Sequence, residues 1–295
     1  MFYRGVVENN NDPLKLGRLQ VRIFGIHTDD KDELPTEALP FAEVANSLAF
    51  GFISGIGVSS VALQGSFVWI FFDNGDFNKP IVFATCPGIS KEKHENAFSD
   101  PSGTYPLDET LGESDYNRLA RAEKTEEIRA EKALQENIIQ GISTADSNSW
   151  DEPTSLSKNA KYPFNNVIET QSGHIIQLDD TQGNERVQIL HKSGSYIEIK
   201  PNGDVVIKSI QDTYEITKNN FKQNVGVKAD LTINGDKSEL IGGSLTENVG
   251  GALTAEVSKE YELTCGANYS LNVSQGMLLN AGTTTEIKGS IIKLN

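Results

Sequence analysis

The strictest pattern of apolar and polar positions lies in the last third of the chain. Between residues 225 and 288 an apolar or small residue returns at every eighth position, and the residue after it is always glycine, asparagine or serine. An even period preserves the two-residue alternation of a strand, whereas eight residues do not make a whole number of helical turns. The pattern therefore predicts one short strand and one turn per octad. The markers are Val225, Ile233, Ile241, Val249, Val257, Cys265, Val273 and Ala281.

Strands this short need neighbours for their backbone groups, and one chain with eight-residue units has too few of them. Intertwining several identical chains around an axis supplies the missing strands. We therefore predict a trimeric β-prism, an intertwined triple-stranded β-helix, with the eight markers as its trimer core. A single-chain β-solenoid or a β-sandwich is the alternative, and a sandwich favours less regular strand lengths.

The first 85 residues carry a different pattern, in which short apolar runs alternate with turn-forming clusters. Gly17 to Gly25 alternates apolar with polar residues, as a half-buried strand does, and residues 65–73 are the most apolar run. Five strands at this spacing predict a small closed barrel of the OB type. The predicted strands span residues 2–8, 17–25, 39–45, 65–73 and 80–85.

The middle of the chain changes character twice. Residues 118–142 are rich in Ala, Glu, Lys and Arg at partly helical spacing, which predicts one helix of up to about six turns. From residue 162 a β pattern resumes with five short strands and leads into the octads. The predicted domains are an OB collar at 1–104, a linker with one helix at 105–161 and a trimeric β-helical needle at 162–295. The fold class is mainly β.

Charge and motifs narrow the function classes. The formal net charge of −15 argues against nucleic-acid binding and against docking on anionic lipid. Two distant cysteines imply neither a disulfide framework nor a zinc site, and the four histidines lack ligand spacing. No catalytic motif appears, and Asp179 and Asp180 are interpreted as solvated carboxylates of a hairpin loop. The sequence predicts no enzyme, cofactor, membrane span or signal peptide, and synthesis in a cytoplasm.

Three stretches carry a family resemblance: residues 12–23 (DPLKLGRLQVRI), residues 98–106 (FSDPSGTYP), and residues 162–174 (YPFNNVIETQSGH) followed by Asp179-Asp180-Thr181. Together with the octads, they resemble the central spike of contractile-tailed phages, the T-even tail lysozyme family. The third stretch is also similar to the valine-glycine repeat spikes of type VI secretion. The resemblance implies a homotrimeric baseplate spike with an OB collar bound to a hub protein, and a needle that punctures the host outer membrane. It also implies location at the tail tip of a virion, assembled in the host cytoplasm.

Two departures from the family limit what carries over. The interval from Leu107 to Lys161 has 55 residues, too few for the muramidase of the T-even relative, so the enzyme is not expected. No histidine follows His191, so the histidine-bound metal that seals some simple spikes is not expected either. The resemblance then leaves a separate small cone-shaped tip protein as the partner at the end of the needle. Its predicted interface is Ile291, Ile292, Leu294 and Asn295.

A trimeric receptor-binding fibre or polysaccharide depolymerase is the runner-up function, since such proteins also use trimeric β-helices. It requires a distal receptor domain or an acidic groove, whereas here the repeat runs to the last residues. An OB-type nucleic-acid binder is the third possibility, and the acidic loops argue against it.

Overall fold

The computed structural model describes residues 1–48, 51–89, 112–123, 125–154 and 159–293. These residues form two units, Met1–Asn234 and Gly235–Asn295. The part of the connector around residues 98–106 that carries the family resemblance lies outside the described residues.

Five strands at the amino terminus close into a barrel, as the alternation predicted. The strands are β1 (Tyr3–Asn9), β2 (Leu19–Ile23), β3 (Phe41–Val44), β4 (Phe67–Phe72) and β5 (Pro80–Thr85). Their order around the barrel is β1-β2-β3-β5-β4, with β3 and β5 parallel and the other pairs antiparallel. This is the arrangement of an OB barrel, so the predicted fold class is confirmed here. The core residues are Val7, Leu19, Val21, Ile23, Ala42, Val68, Ile70 and Val82.

The prediction that β2 is only half buried is wrong, because its polar face is covered as well. Arg22 is fully buried and forms a two-pronged ion pair with Glu8, with Nε to Oε1 at 2.8 Å and Nη2 to Oε2 at 3.1 Å. The guanidinium also donates to the backbone carbonyls of Thr28 and Leu34. The loop after β2 therefore folds back over the strand and satisfies the charge that it buries.

The turn between β1 and β2 is built around one carboxylate. Asp12 accepts hydrogen bonds from the backbone N–H groups of Leu14, Leu16 and Arg18, and the Arg18 guanidinium contacts both of its oxygens. The hydrogen bond from Arg18 is the main cause that holds the pKa of Asp12 far below its ordinary value. This network fixes the shape of the loop.

Two short helices replace the single long one that the composition predicted. Helix α1 (Arg118–Arg121) ends at Ala122, which adopts a left-handed conformation with φ of 57°. A 3-10 turn (Thr125–Glu127) then leads to α2 (Arg129–Glu136). Helical spacing alone did not reveal the break, because alanine is a good helix former and nothing in its identity marks a helix end.

The second half of the described chain begins with a small hairpin, β6 (Ile142–Ser143) and β7 (Ser149–Trp150). Five antiparallel strands then form a sheet in chain order, each joined to the next by a tight turn. The sheet agrees with the five predicted short strands. They are β8 (Asn165–Glu169), β9 (Ile175–Asp179), β10 (Arg186–Leu190), β11 (Tyr196–Ile199) and β12 (Val205–Lys208).

The octads adopt an extended path with bends at regular intervals. Over residues 209–293, all of which the structure describes, bends recur every eight residues, beginning at Ile210-Gln211. The bends within the octads directly follow the markers, as at Gly226-Val227 and Gly250-Gly251. This segment of the single chain contains no hydrogen-bonded strand. That agrees with the argument that one chain lacks enough neighbours, and the intertwined β-helix stays a prediction.

Candidate assembly surfaces

The sheet β8–β12 has one face that is almost entirely aliphatic and exposed. Because side chains alternate along each strand, the strand pairing brings residues of the same face into rows across the sheet. One row consists of five isoleucines, and the next has four aliphatic residues after Asn166. We call these nine side chains the aliphatic face; each is between 43% and 72% exposed. They are Ile168, Ile176, Leu178, Val187, Ile189, Ile197, Ile199, Val205 and Ile207.

The opposite face of the sheet is polar at its centre and buried. Gln177, Gln188 and Glu198 form its middle row, each at most 1% exposed. Arg186 lies beside this row, with its Nη1 at 3.3 Å from Glu198 and its Nε at 3.7 Å from Asp179. The expectation that Asp179 is a solvated loop carboxylate is therefore wrong, because the Arg186 side chain on the next strand stabilises its burial.

The chain itself covers this polar face. Leu119 of α1 and Leu134 of α2 pack against Ile175, Leu190 and Tyr196. The side chain of Asn165, on β8, also donates a hydrogen bond to the carbonyl of Leu119 at 3.0 Å. The helices thus occupy the side of the sheet that holds the charges and leave the aliphatic face open. This is the reverse of the usual arrangement, in which the apolar face of a sheet meets its own helices.

A second contact ties the segment before the sheet to its last strand. The Lys208 ammonium donates to both carboxylate oxygens of Glu152, at 2.7 Å and 2.6 Å, and the Tyr196 hydroxyl donates to the same side chain. Burial is the first cause that raises the pKa of Tyr196, and the negative charges of Glu152 and Glu198 add to it. Tyr196 therefore stays neutral. Because Tyr196 lies on the buried face, this contact supports the sheet from the side opposite the aliphatic face.

The predicted trimer-core residues of the octads do not meet in the single chain. They follow one another at eight-residue intervals on an exposed path, and the six Val and Ile markers are 42% to 52% exposed. Neighbouring apolar side chains outside the marker positions are more open, as Val227 and Leu240 illustrate. Cys265 is exposed as well. The markers are thus the less exposed apolar side chains of the repeat, but their convergence stays a prediction.

The first octad, residues 225–232, is held by the hairpin β6–β7. The Lys228 ammonium lies 2.8 Å from Asp146, and Thr232 donates to the carbonyl of Ser143. The hydrogen bond from Lys228 is the main cause that lowers the pKa of Asp146. Lys228 and Thr232 lie three and seven positions after Val225, so their side chains alternate with that of the marker. The hairpin therefore contacts the octad on the side away from its predicted core.

A third apolar surface lies on the barrel. The 29 residues from Val44 to Phe72 contain no Asp, Glu, Lys, Arg or His in a chain whose net charge is −15. Within this stretch a tight bridge between Ile53 and Ile56 shapes an exposed loop that also presents Phe52 and Val58. We call residues 51–64 the apolar loop. The sequence prediction only placed this segment between the strands at 39–45 and 65–73 and missed its exposure, although the long absence of charge was a usable signal.

The predicted tip interface is partly described. Ile291 and Ile292 are 75% and 50% exposed, whereas Leu294 and Asn295 lie outside the described residues. Within the described ranges no group of three or more His, Cys, Asp or Glu side chains is arranged to hold a metal ion. No helix in those ranges is long and apolar enough to cross a membrane.

Comparison with known proteins relates these surfaces to a family. The family model of the Gp5 N-terminal OB domain matches residues 25–165. Protein Gp5 of Vibrio phage KVP40 is 33% identical over 265 residues, covering 79% of this chain and 62% of the relative. The chain is thus similar to a Gp5 protein over most of its length. The pre-baseplate central spike protein Gp5 of Enterobacteria phage T4 is 38% identical over 113 residues, 36% of this chain and 20% of that protein. The resemblance seen in the sequence is thereby confirmed.

The matches cover only part of each relative. This chain spans about three fifths of the KVP40 protein and one fifth of the T4 protein. The comparisons therefore support an OB domain and a similarity to Gp5 spikes. Oligomeric state, partners and any activity of this chain have to be argued from its own residues.

Proposed function

We propose that this chain is the structural central spike of a contractile-tail baseplate, that it acts as a homotrimer, and that its needle punctures the host outer membrane. Its place is the tail tip of a virion, reached after assembly in the host cytoplasm. The observation that carries the proposal is the aliphatic face, which precedes the octads in a chain similar to a phage Gp5 protein.

The aliphatic face favours association of three copies. Nine neighbouring aliphatic side chains, each about half exposed, form a larger apolar surface than monomeric soluble proteins usually leave open. Packing three such sheets around one axis would cover all three faces with identical surfaces. The octads, which follow in the chain, also need strands of partner chains. Association of three copies therefore satisfies both segments.

The apolar loop of the barrel is the proposed contact with the baseplate hub. It extends from the OB barrel, and its charge-free stretch contrasts with the acidic remainder of the chain. An exposed apolar loop on a rigid barrel is typical of a protein contact. Replacing Ile53 and Ile56 with serine should abolish capture by the hub protein and leave the trimer unchanged.

We propose further that the spike has no peptidoglycan hydrolase activity. The support is the short interval from Leu107 to Lys161, which contains the described helices and hairpin and leaves little chain for a catalytic domain. Purified trimer should leave the turbidity of a peptidoglycan suspension unchanged. Loss of turbidity that disappears when a carboxylate of this interval is mutated would refute the proposal.

Residues 290–295 are the proposed seat of a small cone-shaped tip protein. Three copies of Ile291, Ile292 and Leu294 would give a compact apolar platform, and the first two side chains are exposed in the single chain. Deleting residues 290–295 should abolish binding of the tip protein and leave trimer and collar intact. A truncated spike that still binds it would refute this assignment.

The deciding experiment for the whole proposal is the mass in solution. The chain has a mass of 32.2 kDa, so a trimer has a mass of about 97 kDa. Light scattering coupled to size-exclusion chromatography should give the trimer at micromolar concentration. A stable monomer would refute the proposal.

A further inference from the structure

The alternation of side chains within the octads sorts the charged residues into two sets. Between residues 225 and 288 eight charged side chains lie three, five or seven positions after a marker, which places them on the opposite side from the marker. They are Lys228, Asp230, Asp236, Glu256, Glu260, Glu262, Glu286 and Lys288. In the proposed trimer this set points to solvent.

Four charged residues do not follow this rule, and one of them, Lys259, lies two positions after its marker in a bend, where Val227 of the first octad is 100% exposed. Lys237, Glu239 and Glu247 lie four or six positions after their markers, on the same side as Ile233 and Ile241. In the other octads these positions are held by side chains without charge, mostly Leu, Ala, Tyr and Met. Lys237, Glu239 and Glu247 fall in two consecutive octads, residues 233–248. They form one layer in a column of marker, fourth and sixth positions that is otherwise uncharged.

The side chains of this layer are already arranged for pairing. The Lys237 ammonium lies 2.9 Å from the Glu239 carboxylate within one chain. Each chain thus brings one ammonium and two carboxylates, and Glu247 has no lysine at an interior position of its own octad. A carboxylate enclosed between chains needs an opposite charge close by. Lys237 of a neighbouring chain reaches that layer only when the chains stand at the same height.

We propose that Lys237, Glu239 and Glu247 of three chains form an internal polar layer that fixes the register of the octads. The inference rests on the proposed trimer. Without such a layer, a slip of one octad would place one apolar marker where another had been and would cost little, since the octads are nearly alike. With it, the same slip encloses charges among Val, Leu and Tyr side chains. Single buried polar positions set register in coiled coils by the same physics.

The test measures distances between spin labels on the full chain. Cys86→Ser and Cys265→Ala remove the native thiols, and Ser270→Cys adds one at a solvent-side position five residues after Cys265. Three labels in register form an equilateral triangle and give one distance. The variant Lys237→Leu, Glu239→Leu, Glu247→Leu should still form trimers but give additional distances. A slipped chain moves its label by about one strand spacing, 4.8 Å, along the axis.

A matched control removes three charges from the solvent side instead. Glu256→Leu, Glu260→Leu and Glu262→Leu together should keep the single distance. If the layer variant also keeps a single distance, the proposal is overturned. If the layer variant does not form trimers, a second variant that exchanges the charges, Lys237→Glu with Glu247→Lys, decides. Trimers with one distance in this variant support the layer. Failure of this variant to assemble overturns the proposal. Absence of a trimer in the unmodified chain refutes the proposed function, and this proposal with it.

Discussion

Replacing Ile189 with lysine should convert the trimer into a folded monomer. Ile189 lies on the central strand of the sheet, in the middle of the isoleucine row, and is 53% exposed in the single chain. Its side chain is therefore available for burial by a neighbouring copy, while its own strand pairing does not depend on it. A change at this position acts on association rather than on the fold.

The magnitude follows from the exposed area. Fully burying an isoleucine side chain stabilises by about 1.5–3 kcal/mol, so covering the exposed half contributes about 1 kcal/mol. The nine residues of the aliphatic face then contribute about 9 kcal/mol per protomer, against a cost of association of about 4–15 kcal/mol. Lysine at position 189 removes one contribution and encloses an ammonium at a cost of several kcal/mol. On each chain this loss is as large as the margin of at most about 5 kcal/mol that remains after the cost of association.

Light scattering and circular dichroism separate the two possible effects. Ile189→Lys should give a monomer of unchanged β content at micromolar concentration, and Ile189→Ala should give a weakened trimer. Gln182→Lys adds the same charge at an exposed turn of the same sheet and should leave the trimer intact. A trimer of normal thermal stability with lysine at position 189 would refute the assignment of the aliphatic face.

The other predictions concern the octads and the barrel. Val257→Lys should abolish a trimer that resists SDS, as seen on unheated gels, since three charges would meet near one axis; an unchanged trimer band would argue against the intertwined β-helix. Arg22→Met should destabilise the barrel by about 3–5 kcal/mol in chemical denaturation, and Glu8→Leu in addition should restore most of it, because the unpaired carboxylate is then gone. The pKa of Asp12 is lowered in the folded state by Arg18, so its contribution is complete above about pH 4 and is lost as the pH falls towards the folded pKa. Asp12→Asn should therefore lower the melting temperature at pH 7 and lower it less at pH 3.

The sequence predicted strands better than it predicted which faces they bury. All five barrel strands and the five sheet strands follow from alternation and turn residues. Alternation distinguishes two faces of a strand, but it cannot say which face the same chain covers. Around Gln177 and Gln188 the chain covers the polar face, and on β2 the loop covers Arg22. Both facts depend on contacts between distant segments, which local spacing does not record.

Of the assembly surfaces, too, the sequence predicted one and missed another. The octad period and the markers were evident in the sequence because each unit repeats its neighbour. The isoleucine row was hidden, since its members come from five strands and meet only through the register of the sheet. The helix break at Ala122 was hidden for a related reason, because packing of α1 and α2 on the sheet decides where the helix ends.

The order of segments along the chain indicates how three copies could assemble. The sheet β8–β12 consists of adjacent antiparallel hairpins, so it can form within one chain through contacts that are local in sequence. The octads form no such hairpins in the single chain, and in the proposed trimer they depend on partner chains. If the aliphatic faces meet first, three octad segments start from one point, and the effective concentration of each for the others becomes high. The entropic cost of bringing the three chains together then arises only once, when the sheets associate. The octads can afterwards wind around each other in an intramolecular step. A sheet whose apolar side is left open by its own helices is therefore the feature that such an assembly requires.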